Sequence, residues 1–571
     1  MGTALFDEAK AHAAGASKTG LPARSARPLC LRHAASLQTA ASFLWIPQAG
    51  LLAHAVGRIA DGDGLSHVLW PAFFVLTLGI AKALLDAVGG QIALDSARTE
   101  LSVRRQFAVA ALARRSPIDG TRPASGQVAS VLGEQAELVV PYLARYFPAR
   151  IKASVIPVVM LVCVLAISWV AALALFISMP LIPLFMALIG WRAQFASEKQ
   201  LAATGKLNAF LLDRLRGLAT IRSFNAVELT ATRLRADAED LKTRTMAVLK
   251  IAFLSSAVLE LFAALGVAMV AVYVGFSLLG EIHFGTWSGK ISLTEGFFIL
   301  LLAPAFFEPL RELSAVWHDR AAGEAAIKAL DSLGECGGIE IVDTHSTGPA
   351  PGFDRLDIEF KNVSFRYDCL RPCALTGFNC LIEEGEHVAL SGASGAGKST
   401  LLALIAGLAP PQTGRVLIDG RPVDAGVRST MAWIGQTPHI FAGSLAGNVL
   451  LHRHYGVLKE ALALARLDGV AAAYGKRPLG EGGAGLSGGE ALRLAIARAA
   501  ANPFIRIILA DEPTAHLDAV TAAEITESLI ALASERTLIV ATHDARLAAR
   551  MDRMILIDAP FSKEAAVSCE N

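Results

Sequence analysis

Gly392, Ala393, Ser394, Gly395, Ala396, Gly397, Lys398, Ser399 and Thr400 directly follow a short apolar run, His387-Val-Ala-Leu-Ser391, and open a second one, Leu401–Ile405. The order G-x-x-x-x-G-K-S between a strand and a helix is the pattern of a phosphate cradle. Its glycines let backbone N–H groups wrap an anion, and the helix N-terminus adds a favourable dipole. In that setting Lys398 neutralises the β- and γ-phosphates of a nucleoside triphosphate and the Ser399 hydroxyl holds Mg2+. A glycine-rich turn without chemistry has no use for Lys-Ser in this register.

Farther along, Ile507-Ile-Leu-Ala-Asp511-Glu512 ends an apolar strand in two carboxylates. A buried strand has little reason to end so unless something cationic or reactive sits there. Asp511 suits Mg2+, reached through water, and Glu512 suits a water to be oriented and polarised for attack. Between these motifs lies Leu486-Ser-Gly-Gly-Glu490, in which Ser487, Gly488 and Gly489 open a helical stretch and offer a second anion site.

These residues need a scaffold, and composition says where it ends. The 571 residues are 53% hydrophobic and 18% charged, with 52 Lys+Arg against 51 Asp+Glu. That is too apolar for a wholly soluble protein and too charged for a bare membrane bundle. A net charge of +1 gives no reason to expect nucleic acid as a partner. Seven scattered cysteines exclude a disulfide scaffold.

Ala153–Trp191 holds 39 residues without Asp, Glu, Lys or Arg, about 58 Å as helix against a hydrocarbon core of about 30 Å. Two spans meeting near Ser168–Trp169 use that length. Less pure runs at 34–56, 68–88, 251–279 and 291–307 bring the expected count to six. Residues 89–152 carry nine Arg/Lys against five Asp/Glu, and residues 192–250 eleven against six. Basic connections stay cytoplasmic, which puts both long connections, the N-terminus and the C-terminal part on that side. Each long connection has about 60 residues, more than a turn needs, as expected of helices continuing beyond the membrane. The first apolar stretch reads as a retained span, not a cleaved signal. The expected division is a cytoplasmic N-terminal segment (1–30), a membrane domain (31–320), a linker (321–355) and an α/β domain (356–571).

Across that last domain the chain resembles the ATP-binding cassette (ABC) superfamily, on the three motifs above. The resemblance implies further roles: Tyr367 stacks on adenine, Gln436 touches Mg2+ and the membrane domain, Glu481 is a coupling acid, Asp518 forms the D-loop and His543 contacts the γ-phosphate. It also implies that two cassettes close head to tail, each ATP lying between one chain's phosphate loop and the other's signature serine. Glu490, where Gln is usual, and His516, where a small residue is usual, depart from the pattern. The expected fold class is a multidomain membrane protein, an exporter-type all-α six-helix domain followed by an α/β nucleotide-binding domain.

Pro180–Trp191, Phe210–Thr220, Ala252–Glu260, Ala271–Phe276 and Leu301–Phe307 resemble more closely the CydD-type subunit of the bacterial cysteine/glutathione exporter. That likeness implies a heterodimer with a CydC-type half-transporter, the bacterial inner membrane, a small thiol substrate, a link to cytochrome bd assembly and association with haem. A lipid or drug flippase using the same engine, and a regulatory or haem-binding ATPase, are the competing readings.

Ionisable residues at the spans are candidates for cargo contact because they are costly there. They are Arg145 and Arg150 beside the third span, Glu260 in the fifth and Arg311, with Glu308, closing the sixth. Lys82 and Asp86, four apart, share a face where they would neutralise each other. His54 and His67 are the candidate haem ligands. Cys369, Cys373 and Cys380 fit no zinc spacing.

Overall fold

The computed structural model describes residues 27–557 except 63–65, 181–195, 288, 336–337, 343–354, 369–371, 452–457, 476, 484 and scattered positions between 197 and 216. These residues form two compact units. One comprises 27–108 with 125–333, and the other 109–124 with the chain from 334 onward.

The first unit is helical. Its elements are α1 (Arg27–Phe43), α2 (Trp45–Ala60), α3 (Ser66–Arg114, which runs on into the second unit), α4 (Ser125–Gly133), α5 (Phe147–Leu165), α6 (Trp169–Pro180), α7 (Leu218–Ser223), α8 (Val227–Leu278), α9 (Leu293–Ala315) and α10 (Trp317–Gly334). Among the described residues four helical stretches are long and apolar enough to cross a membrane: His67–Arg114, Ser125–Leu165, Ala257–Leu278 and Leu293–Gly334. The expected fourth span begins as α6, and its continuation, 181–191, lies outside the described residues.

The first expected span departs from a single apolar rod. It is two helices interrupted at Leu44, with Gln38, Thr39 and Gln48 buried. Two of the three have internal partners for their side chains, which makes burial tolerable. Thr39 Oγ1 donates to the Ala35 carbonyl at 2.7 Å, and Gln48 Nε2 donates to the Val75 carbonyl at 3.0 Å.

Helices α3 and α8 have 49 and 52 residues, about 74 and 78 Å long at 1.5 Å per residue, more than twice the hydrocarbon thickness. Between α5 and α6 the chain turns at 166–168. Ser168 Oγ donates to the Gly285 carbonyl at 2.7 Å, and Trp287 Nε1 donates to the Leu165 carbonyl at 2.8 Å, tying this turn to the α8–α9 connection. The core of the unit is built on α5 and α9, where Ile156, Met160, Ile299, Leu302, Phe306 and Phe307 are buried.

The second unit contains two sheets. An antiparallel one has the order β2-β1-β4-β5, from β1 (Ile358–Phe365), β2 (Leu375–Ile382), β4 (Thr413–Ile418) and β5 (Arg421–Pro422). A parallel one has the order β6-β7-β8-β3-β9, from β3 (His387–Ser391), β6 (Met431–Ile434), β7 (Ile507–Asp511), β8 (Thr537–Ala541) and β9 (Arg553–Leu556). Ile507–Ala510 and Thr537–Ala541 are buried throughout, as strands covered on both faces must be. Its helices are α11 (Lys398–Ile405), α12 (Ala425–Arg428), α13 (Leu445–Leu450), α14 (Leu458–Leu464), α15 (Asp468–Tyr474), α16 (Gly488–Ala500), α17 (Ala519–Leu532) and α18 (Ala545–Ala548).

The segment 321–355 is less of a linker than its Gly/Pro-rich end suggests. The Ala-rich α10 runs through its first part to Gly334, as Ala, Leu and Lys favour. Beyond it, Ser116 N–H donates to the Ile339 carbonyl and Ile341 N–H to the Arg114 carbonyl, both at 2.9 Å. Val342 N–H donates to the Gly407 carbonyl at 3.0 Å. The α3–α4 connection is thus held by backbone hydrogen bonds within the unit that carries the phosphate loop.

Candidate functional site: a nucleotide cleft at the strand ends

Four loops that follow four adjacent parallel strands meet in one cleft of about 1380 Å3. The loop after β3 contributes Ser394, Gly395 and Gly397–Thr400, β6 leads to Gln436, β7 to Glu512 and β8 to His543. The carboxyl ends of parallel strands are where such folds bind ligands, because loops and helix N-termini converge there.

Gly392 and Gly397 are glycines of necessity. A Cβ on Gly392 would lie 2.5 Å from the Ile557 carbonyl oxygen. Gly397 sits at φ +99°, and a Cβ there would lie 2.6 Å from the Ala374 carbonyl oxygen. The next residue, Lys398, is only 7% exposed, so its ammonium needs partners. It donates to the carbonyls of Gly392 (3.0 Å) and Ala393 (3.2 Å) and lies 2.9 Å from His543 Nε2. An ammonium has no acceptor, so the imidazole nitrogen accepts.

Ser399 Oγ donates to Asp511 Oδ1 at 2.9 Å. A hydroxyl and a carboxylate this close, with the Gln436 amide in the same cleft, make an oxygen donor set of the kind that suits Mg2+. Tyr367 OH lies 2.8 Å from Thr400 Oγ1, and its ring packs edge-to-face on Phe365 with centroids 5.1 Å apart. The chain turns sharply at Glu512, whose φ is +49°, and its N–H is held by the Ala541 carbonyl at 2.9 Å. The carboxylate accepts the His543 N–H at 3.4 Å, and its other oxygen lies 3.5 Å from His543 Nε2. Left-handed backbone at a bulky residue is held only when surroundings insist on it.

Ser487, Gly488 and Gly489 are not in the lining of this cleft. Ser487 caps α16 instead: its Oγ accepts the Glu490 N–H at 3.3 Å and its own N–H donates to Glu490 Oε2 at 2.7 Å. That is a reciprocal capping box, which Glu and Gln serve equally, and it accounts for the departure at Glu490. Glu490→Ala is expected to cost about 1 kcal/mol of local stability, read as about fivefold faster hydrogen exchange of the first-turn amides of α16. Glu490→Gln should leave that exchange unchanged. His516 takes φ +62°, a conformation His adopts more readily than most side chains, and lines the cleft.

Asp518 caps α17. Hydrogen bonds from the Thr521 hydroxyl (2.6 Å) and from the Thr521 and Val520 amides hold its carboxyl below the ordinary carboxylate range. Sequence reasoning missed Pro372 and Ala374 in the cleft wall, which no motif marks; Cys373, noted only for fitting no zinc spacing, lies between them. The side chain of Glu481 and residue Cys369 lie outside the described residues.

In the helical unit the expected Lys82–Asp86 pair does not form. Lys82 Nζ lies 5.3 Å from the centre of the Trp45 ring, and Asp86 lies 3.8 Å from Lys152. Four residues' spacing on a long helix fixes a shared face, but a cation from a neighbouring helix competes for the carboxylate. Lys152, buried and unflagged by the sequence, also donates to both oxygens of Glu312 at 3.1 and 3.3 Å. Arg311 Nη2 lies 3.1 Å from Glu260, joining α9 to α8. A second cavity, of about 410 Å3, takes Arg311 in its wall. Arg145 and Arg150 do not line it; Arg145 lies 3.7 Å from Asp319, and Arg150 is exposed. His54 and His67 are both exposed, which does not fit the apolar cleft a porphyrin needs around its axial ligand.

A fused helical membrane unit and strand-end nucleotide cleft define an ATP-hydrolysing transporter. Residues 375–515 match the ABC transporter family and residues 116–300 the ABC transporter transmembrane region. The chain is 34% identical to the transport ATP-binding protein AarD of Providencia stuartii, over 90% of this chain and 88% of that one. It is also 34% identical to the glutathione/L-cysteine transport system ATP-binding/permease protein CydD of Haemophilus influenzae, over 89% and 87%. A bacterial Atm1-family ABC exporter solved with ATP bound shares the fold, with a TM-score of 0.73 at 23% identity over 94% of this chain and 93% of that one. The chain belongs to the ABC exporters with fused transmembrane and ATPase domains, in the group that holds AarD and CydD.

Proposed function

We propose that this exporter moves a small thiol of the cysteine/glutathione class out of the bacterial cytoplasm. It does so as one half of a heterodimer with a CydC-type half-transporter in the inner membrane, its N-terminus and ATPase unit facing the cytoplasm. The observation that carries the two-chain reading is the division of the site. Lys398, Glu512 and His543 converge on one cleft, whereas Ser487 opens α16 outside it. One cassette in this reading lacks a signature serine over its own phosphates, and a second brings it. The thiol class is supported by the likeness to CydD across nearly the whole chain.

In this reading the adenine stacks on Tyr367. The phosphates lie along the amides of Gly392–Thr400, and Lys398 leaves its loop carbonyls for the β- and γ-oxygens. Mg2+ held by Ser399, Asp511 and Gln436 would neutralise phosphate charge. Glu512 orients the attacking water and takes its proton, while His543, no longer held to Lys398, faces the γ-phosphate. Asp518 and the amides of Ser487, Gly488 and Gly489 serve the partner's ATP. Because closure needs both nucleotides, ATP biases the membrane half toward the outward-open state, and hydrolysis resets it.

The test is ATP-dependent uptake of cysteine and of glutathione into inverted vesicles containing this chain with its partner. Uptake of either, abolished when ATP is replaced by a non-hydrolysable analogue, is the expected result. Uptake of neither, with ATP turnover stimulated by lipid alone, would replace the thiol reading with a flippase.

A further inference from the structure

We infer that the cavity in the helical unit reads the α-amino-acid head of the cargo and not its sulfur, binding the carboxylate between Lys82 and Arg311 and the α-ammonium at Glu308. This rests on the thiol-exporter reading and deepens it. Cysteine carries this head outright, and glutathione carries it on its γ-glutamyl end, so one site serves both.

The cavity holds about 410 Å3, within the range of small-molecule sites. Its ionisable lining residues are Lys82, Glu308, Arg311 and Glu312. Two positive and two negative groups sum to zero, as suits a zwitterion. They differ in how far they are already satisfied. Glu312 is taken by buried Lys152, which also reaches Asp86. Lys82 has the Trp45 ring beneath its ammonium and, among the described residues, no carboxylate. A cation–π contact leaves ammonium protons free to donate. Arg311 bonds Glu260 through Nη2, yet its Nε is buried without a hydrogen-bond partner. A buried unpaired donor on a cation is costly unless something arrives to accept it. Glu308 is the loosest carboxylate, 70% exposed and 3.9 Å from Arg311 Nη1. Two cations with spare donors thus face a weakly held carboxylate across one cavity. Ionisable groups are kept in spans for such work.

Apart from Ser42, the remaining wall is apolar, with Ile156, Met160, Leu300, Leu301 and Pro304. Among the described residues it offers the thiol no cysteine, and its one hydroxyl, Ser42, already donates its proton to the Gln38 carbonyl at 3.1 Å. The sulfur therefore meets surface that accepts a methyl group equally well. A hydrogen-bonding site of this kind discriminates most sharply against ligands missing the polar group it reads.

The experiment measures binding to the full heterodimer in lipid nanodiscs, without nucleotide, by competition against labelled cysteine. L-2-Aminobutyrate, in which methyl replaces the thiol, should compete within about threefold of cysteine. Cysteamine, which lacks the carboxylate, and 3-mercaptopropionate, which lacks the ammonium, should be weaker at least about tenfold. Lys82→Met and Arg311→Met should each weaken cysteine at least about tenfold. The ligand series needs no variant, so it decides even if a variant folds poorly. Cysteamine or 3-mercaptopropionate matching cysteine, or both variants binding cysteine as the parent does, overturns the assignment. Vesicle uptake by the unaltered pair separates the two claims. If it transports cysteine while the head-group series is flat, only this site falls. If it transports neither cysteine nor glutathione, the reading on which the site rests falls with it.

Discussion

Replacing Glu512 with Gln is expected to lower ATP turnover at this chain's cleft at least about a hundredfold, about 2.7 kcal/mol of barrier, with ATP affinity within about threefold of the parent. The substitution preserves shape. A carboxamide oxygen still accepts the His543 N–H that Glu512 accepts at 3.4 Å, and the unusual φ of +49° at this position is fixed by the Ala541 carbonyl and not by the side chain. The amide loses only the ability to take a proton from water. A positioned base contributes about 10²–10⁴ to such a step, and affinity resides in Lys398 and the loop amides. The measurement is single-turnover hydrolysis in the reconstituted pair with the partner's own site silenced, beside ATP titration. Cargo uptake should fall in proportion. Turnover within threefold of the parent would mean that another group polarises the water.

Much of this cleft was legible in the sequence because its chemistry is local. Gly392–Thr400 is contiguous, and the geometry that makes Gly397 obligatory follows from the loop having to turn before α11. Asp511 and Glu512 end a run so apolar that their functional place at a strand end could be read directly. The capping box Ser487–Glu490 was also written in the spacing, yet was hidden by reading Glu490 only as a departure from a familiar pattern. The helical unit was legible in outline and not in its pairings. Hydropathy gives the spans, and the turn between α5 and α6 falls where the length of the uncharged run requires it. Periodicity puts Lys82 and Asp86 on one face but says nothing of Lys152 approaching from α5, far along the chain. The same holds for Glu260 and Arg311, whose contact depends on how α8 packs on α9. The break at Leu44 was invisible because nothing in the spacing of Thr39 and Gln48 says that they are buried with partners.

Lys398→Ala is expected to raise the ATP concentration for half-saturation by about 10–100-fold while leaving AMP binding within about threefold. The argument turns on where the ammonium is now and where it goes. At 7% exposure it cannot rely on water, and it is satisfied by two loop carbonyls and His543. Those neutral partners hold it at the floor of the cleft, so an arriving triphosphate exchanges neutral acceptors for charged ones. A hydrogen bond to a charged group contributes about 1.5–3 kcal/mol, which is the stated range of affinity. AMP has no β- or γ-phosphate and engages Tyr367 and the loop amides alone, so it reports whether the cradle keeps its shape once the lysine is gone. Selective loss of ATP assigns the lysine to the outer phosphates. Equal loss of ATP and AMP would instead make Lys398 a strut for Gly392 and Ala393, and the phosphate role would have to pass to the amides.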